Sequence, residues 1–223
     1  MKRHFDDELR ELKERILYMG SLVEERIYKS IKALVERNEE QCREIATTDY
    51  LVNDLHIEID DRCLKLLALR QPIAIDLRFI TSAMKINSDL ERMGDLAVNI
   101  AENSVILLKQ PQLKPLIDIP RMAQISQSMV KDSLDAFVKR DIELAREVIL
   151  RDDEVDALKD QVFRELLTFM IGDPQTVTRA LELILISRHL ERIADHATNI
   201  AEDVIYMVLG KDIRHHVEEK GSQ

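Results

Sequence analysis

Two thirteen-residue blocks, LERMGDLAVNIAE from Leu90 and LERIADHATNIAE from Leu190, restrict this chain more than anything else in its sequence. They lie 100 positions apart, Glu191 against Glu91, and nine of the thirteen aligned positions agree. The identities are Leu90/Leu190, Glu91/Glu191, Arg92/Arg192, Asp95/Asp195, Ala97/Ala197, Asn99/Asn199, Ile100/Ile200, Ala101/Ala201 and Glu102/Glu202. The outer face of a helix accepts almost any residue, so agreement at charged positions and at an Asn asks for more than maintenance of a fold. A period this long implies duplication of a whole small domain rather than a solenoid repeat.

The duplication runs further back. SIKALVERNEEQCREI from Ser30 matches SLDAFVKRDIELAREV from Ser133, an offset of 103. Arg37/Arg140, Glu40/Glu143, Arg43/Arg146 and Glu44/Glu147 coincide, and Asn38 and Asp141 both stand as N-caps before a new helical run. The offset shrinks to 100 between Leu69 and Arg78, which places the length difference in a loop.

Apolar residues recur at helical spacing through Leu9, Leu12, Ile16, Met19, Val23, Ile27, Ile31 and Leu34, predicting a first helix to about Glu36. A second is expected from Asn38 to Gln71-Pro72, and a third from there to about Lys109. The Pro-rich stretch Gln110 to Pro120 reads as a linker. Three more helices follow: about Met122 to Lys139, Ile142 to Ile171, and Gln175 to Leu209 with Gly210 as C-cap. Gly172-Asp173-Pro174 separates the last two. The expected fold is all-α: two tandem three-helix bundles, six long antiparallel helices, over 1–110 and 121–210, joined by 111–120 and followed by a polar, fraying tail, 211–223.

Composition narrows the function. A net charge of -10 argues against a duplex nucleic-acid binder, and 4% aromatics without Trp leave no stacking platform for single strands. The amino terminus is charged from the start, unlike a signal peptide, and no apolar run approaches the roughly 20 residues of a membrane span. Cys42 and Cys63 fall 21 residues apart on one predicted helix, about 31 Å along its axis, so no disulfide is expected and the compartment reads as cytoplasmic.

Candidate chemistry sits on the third and sixth helices. On a helical wheel with Ile80 at zero, Glu91, Asp95 and Glu102 fall at about 20, 60 and 40 degrees, on the edge of the apolar arc. Glu191, Asp195 and Glu202 repeat this. Carboxylates so placed must be paired or ligating, because an unpaired buried charge is costly. Asp49 on the second helix falls level with Glu91 across the hairpin, and Asp152 falls likewise with Glu191. Each set is an oxygen-rich cluster suited to Mg²⁺, Mn²⁺ or iron. Asn99, Asn199, Glu102 and Glu202 are less certain ligands, and the Asn pair suits orienting or interhelical hydrogen bonds.

The same Glu-Arg-x-x-Asp pattern also reads as an intrahelical ion pair, Arg92 to Asp95 and Arg192 to Asp195, worth a few tenths of a kcal/mol, at about 0.2–0.5. His4, His215 and His216 lie near the termini, His56 and His196 lack counterparts, and His189 reads as a surface residue. Glu-x-x-His, His-Glu-x-x-His, the P-loop and the Gly-rich dinucleotide turn are missing. Asp54, Glu58 and Asp61 read as a solvated face.

A doubled three-helix bundle carrying these two blocks, with PIAIDLRFITSAMKINSDLER leading into the first, resembles the PhoU family of bacterial phosphate-signalling proteins over essentially the whole chain. The resemblance implies a cytoplasmic negative regulator without catalytic residues, peripheral to the inner membrane through its partners. Those partners would be the ATPase of the phosphate ABC transporter and a membrane sensor histidine kinase. It implies a homodimer as well. Multinuclear metal sites in the family map to Glu91, Asp95, Glu191 and Asp195, with iron, Mn, Mg or Zn as the ion. The rival readings are a metal-dependent phosphatase, for which no nucleophile or phosphate-binding cluster is evident, and a metal-free helical adaptor.

Overall fold

The computed structural model describes residues 2–47, 50–211 and 213, with the side chains of 2–4 left aside. Asp49, His215, His216 and most of the 211–223 tail therefore lie outside the described residues, as does the His4 side chain. Among the described residues every regular element is helical: α1 (Lys2–Val35), α2 (Glu39–Thr47), α3 (Tyr50–Arg70), α4 (Ala74–Leu108), α5 (Asp118–Lys139), α6 (Ile142–Gly172) and α7 (Val177–Leu209). One 3-10 turn, Pro174–Thr176, precedes α7. The six expected helices are present, the second as α2 and α3. Cys42 thus sits on α2 and Cys63 on α3, so the single-helix argument for keeping them apart does not hold. Both are free and buried all the same, and burial pushes their thiols up to about 11 and about 12.

The duplication shows first in a turn. Arg37 and Arg140 both take left-handed backbone, φ 54° and 55°. One residue later, the amides of Asn38 and Asp141 donate to the carbonyls of Ala33 and Ala136 at 2.9 and 3.0 Å. The side chains of Asn38 and Asp141 then accept from the amides of Gln41 and Leu144 at 3.0 and 3.1 Å. A left-handed stop followed by an Asx cap satisfies the orphan groups at both helix ends, so the chain reverses the same way in each copy. At the far hairpins the copies differ. Gln71 (φ 47°) precedes α4, whereas Asp173 caps the Pro174–Thr176 turn before α7 by accepting from the Gln175 amide at 2.9 Å.

α1, α2/α3 and α4 form one bundle and α5, α6 and α7 the other. The bundles join where α4 lies along α7 and α1 along α5. The α1 stripe is buried as its spacing requires, from Leu12 to Leu34, with Leu9 half-buried. One continuous apolar core contains it together with α4, α5 and α7, and Phe79 of α4 stacks on Phe137 of α5 with centroids 5.3 Å apart. Ala83, Ala97, Ala197 and Ala201 are fully buried in that core. Gly20 lets α1 and α5 come close, since a Cβ there would lie 2.3 Å from Leu134 Cδ1.

The connection between bundles is shorter than the Pro-rich composition suggests. α5 begins at Asp118, because Pro120 falls in its first turn, where no helical amide is required. Arg37 donates to the carbonyls of Leu108 and Gln110, Arg179 donates to that of Pro111, and the buried Lys114 pairs with Glu165. Both bundles grip the segment.

The α4–α7 seam holds a buried polar set. At one end Lys85 Nζ donates to Asp203 Oδ1 at 2.9 Å, and Asp203 is 3% exposed. At the other, Asn103 Nδ2 donates to Glu182 Oε2 at 2.7 Å, and Asn103 Oδ1 faces His189 Nε2 at 3.2 Å. Between them His196 Nδ1 meets Asp89 Oδ1 at 2.8 Å. His189, read from sequence as a surface residue, is half-buried here, because the face of α7 that carries it is covered by α4. Burial and the neighbouring Arg192 and Arg188 lower its pKa.

Candidate functional site

The repeated carboxylates line two crevices, one between α3 and α4 and one between α6 and α7. Antiparallel pairing sets their level. In the second copy Lys159 of α6 reaches Glu191 of α7, which puts the segment beginning at Asp152 beside Asp195. Asp152 and Glu191 are half-buried, while Asp195 is exposed at the rim. Burial raises the Asp152 pKa to about 6, helped by the charges of Asp195, Asp156, Asp153 and Glu191. Burial also raises Asp195, with Glu191 and Asp156 adding to it and His196 and Lys159 opposing. Asp152, Glu191 and Asp195 are therefore within electrostatic reach of one another, as their helical positions predict.

Two members of this crevice escape the sequence reading. Asp156 lies four residues after Asp152 and so on the same face of α6, a spacing visible in the sequence. It has no carboxylate counterpart, because the first copy places Asn53 there. Lys159 is the other. Its ammonium donates to Asp156 Oδ1 at 3.0 Å and to Glu191 Oε1 at 3.3 Å, and lies 3.7 Å from Asp160 Oδ1. Those bonds raise its pKa, the one to Asp156 most. Glu191 thus takes its cation from α6 rather than from its own helix.

The first crevice is built by the same pairing. Asn87 of α4 donates to the His56 carbonyl and to Asp60 Oδ1, both at 2.9 Å, which fixes the α3–α4 register. That register sets Val52 against Gly94, where a Cβ would lie 3.2 Å from Val52 Cγ1. Gly94 does let the neighbouring helix approach closely. The same imagined Cβ would meet Arg26 Nη1 at 3.6 Å, so a guanidinium from α1 stands beside the crevice. Glu91 is half-buried and Asp95 exposed, a distribution that repeats Glu191 and Asp195. Asp49, the expected contribution from the second helix, is outside the described residues.

The less certain positions lie further along each helix. Asn99 is half-buried and Asn199 exposed, whereas Glu102 is exposed and Glu202 half-buried. His196 points away from the second crevice and into the seam, toward Asp89. Glu58 and Asp61 lie on the outer face of α3 in exposed or partly exposed ion pairs with Arg15, Arg62 and Lys65, and Asp54 is exposed. Among the described residues no group of three or more His, Cys, Asp or Glu side chains is placed so that it could hold a metal ion. The donors nonetheless fit a hard cation in kind: all are oxygens, several share one crevice, and burial with neighbouring negative charge lifts the proton affinity of Asp152 and Asp195. Zinc is served less well, since both thiols are buried and pushed far from ionisation.

The sequence profile of the PhoU domain matches this chain twice, over residues 16–104 and 119–204. The chain belongs to the PhoU family. A PhoU homolog of the phosphate-specific transport system from Aquifex aeolicus is 46% identical over 215 residues, covering 96% of this chain and 97% of that protein. The homolog from Clostridium acetobutylicum is 38% identical over 213 residues, covering 95% and 97%. The crystal structure of PhoU from Pseudomonas aeruginosa superposes with a TM-score of 0.89 at 38% identity, covering 93% of this chain and 100% of the other. PhoU from Streptococcus pneumoniae, a phosphate transport system regulatory protein, gives 0.87 at 34% identity, covering 93% and 98%. The two profile matches include the two Glu-x-x-x-Asp blocks, so the crevices lie inside the family's repeated unit.

Proposed function

We propose that this chain is a non-enzymatic accessory regulator of phosphate transport that holds the phosphate regulon off when phosphate is plentiful. The observation that supports this is the whole-length match to relatives named as phosphate-specific transport system accessory proteins, with both acidic blocks intact. In this reading the protein works in the cytoplasm, as a homodimer, and contacts the transporter ATPase and a membrane sensor histidine kinase. Among the described residues no helix is long and apolar enough to cross a membrane, so any attachment there would be through partners. Expressing the chain in a bacterium stripped of its own PhoU tests the role: a phosphate-repressed reporter should fall silent at high phosphate. Continued expression of the reporter, with the protein present and folded, overturns it.

The crevices would act as divalent- or trivalent-cation sites: Asp49, Glu91 and Asp95 in the first copy, Asp152, Glu191 and Asp195 in the second. Asn99, Asn199, Glu102 and Glu202 would be outer or orienting groups. A bound ion would neutralise carboxylates that now repel and tie two helices together, so metal should raise stability by linkage. Replacing Asp95 and Asp195 by Asn removes charge at nearly constant shape. Chelator should lower the melting temperature of the parent and leave that of the double variant much less changed. Equal responses would leave the crevices as ordinary ion-pair networks.

A further inference from the structure

We propose that Lys159 is a tethered cation that competes with a divalent metal ion for the second acidic crevice. The proposal rests on the cation-site reading above, and its own observations are contacts in this structure. The ammonium bridges two helices, 3.3 Å from Glu191 Oε1 on α7 and 3.0 Å from Asp156 Oδ1 on α6. Glu191 is a carboxylate that a metal would use, and its Oε1 has an occupant already. Asp156 and Asp160 lie on the solvent side of Lys159, with side chains 51% and 61% exposed against 21% for Glu191. They form an outer perch. A lysine stem is flexible and its ammonium carries three rotatable donors, so Lys159 can leave Glu191 without losing its pairing to α6.

The crevice therefore has two ways to set a positive charge against Glu191. With Lys159 inward, the ammonium neutralises Glu191 and links α6 to α7. With Lys159 outward on Asp156 and Asp160, Glu191 is released to join Asp152 and Asp195 around an ion. The first copy lacks this device. Its equivalent of Lys159 is His56, which faces Asp60 on its own helix at 3.7 Å, and its equivalent of Asp156 is Asn53. The nearby cation there is Arg26, delivered from α1.

The test uses the full chain carrying Glu91→Gln and Asp95→Asn, which silences the first crevice, with Mn²⁺ alone as the probe and free Mn²⁺ read from its paramagnetic resonance signal. Adding Lys159→Met should tighten Mn²⁺ binding by up to about fivefold, the worth of one partly exposed ion pair. Lys159→Arg should keep the weaker binding. In chelator the Lys159→Met protein should melt below its parent, and Mn²⁺ should restore it. Binding that emerges only after Lys159 is replaced supports the proposal equally, and Lys159→Gln serves in its place should the Met variant misfold. Unchanged or weaker Mn²⁺ affinity in a folded Lys159→Met protein overturns competition while leaving metal binding standing. No Mn²⁺ bound by either the Lys159 parent or the folded Lys159→Met protein overturns both.

Discussion

The two crevices share a helix pairing, a register and a pair of repeated carboxylates, yet they collect positive charge from different places. In the first, Gly94 leaves room for Val52 and a guanidinium from α1 comes alongside. In the second, Ala194 stands at the glycine's position, the buried Met129 at that of Arg26, and α6 supplies Lys159. The seam shows the same divergence. Asp203 and Asn103 are equivalent positions, as are Ser82 and Glu182, so one end is closed by an ion pair and the other by an amide–carboxylate hydrogen bond. Both copies keep the backbone geometry and the crevice pair of Glu and Asp. Counter-charges need only arrive within a few ångströms, and any neighbouring helix can deliver them.

That comparison breaks most visibly at the ion-paired end of the seam. Lys85→Met should cost about 2 kcal/mol in urea unfolding, because Asp203 is buried and loses its ammonium, discounted because Lys85 itself is partly exposed. Glu182→Gln at the other end keeps an acceptor for Asn103 and should change stability by less than half as much. If the two substitutions cost the same, the seam ends are energetically equivalent after all.

His196→Leu makes α7 match Leu96 of α4 and strands Asp89. The side chains of the pair are only 11% and 16% exposed, so a loss of about 1–2 kcal/mol is expected, and Asp89→Asn in the same background should recover part of it. Additive losses would show that the pair does not interact.

A smaller effect separates the crevices by pH. Burial holds the Asp152 carboxyl at about 6 in the folded protein against an ordinary 3.8, so between those values the native state holds more protons on it than the unfolded chain. Its contribution to the stability of the metal-free protein should therefore be greatest below this window and fall as pH rises through it, with Asp195 contributing in the same sense. Asp152→Asn should remove part of that slope, matching the parent near pH 4 and exceeding it above pH 6 in chelator. A variant less stable than the parent at pH 7 would mean that Asp152 is paired favourably in the metal-free state.

The smallest difference expected is at the paired small residues. Ala194→Gly should cost about 1 kcal/mol, the ordinary penalty for glycine in a helix interior. Gly94→Ala gains that term but crowds Val52 at 3.2 Å, and the two should nearly cancel. A large loss at Gly94 would show that the first crevice depends on the close approach of α3.

Local interactions and periodicity made much of this protein legible in its sequence. The apolar stripe of α1, the caps at Asn38 and Asp141, and the stops at Pro72 and Gly210 act within a few residues, so they can be read without a fold. The repeated Glu and Asp drew attention to α4 and α7, and helix spacing with the hairpin lengths set Asp152, Glu191 and Asp195 at one level of the α6–α7 pairing. Tertiary structure decided what spacing along one helix cannot encode. The break between α2 and α3, the pinning of the linker by Arg37, Arg179 and Lys114, the merging of two bundles into one core, and the burial of His189 and His196 all depend on which faces meet. Lys159 belongs to this group. In the sequence it is one more charge on an amphipathic helix, and only the packing of α6 on α7 brings its ammonium to Glu191, because a side chain's partner across a bundle is set by helix register rather than by its neighbours in the chain.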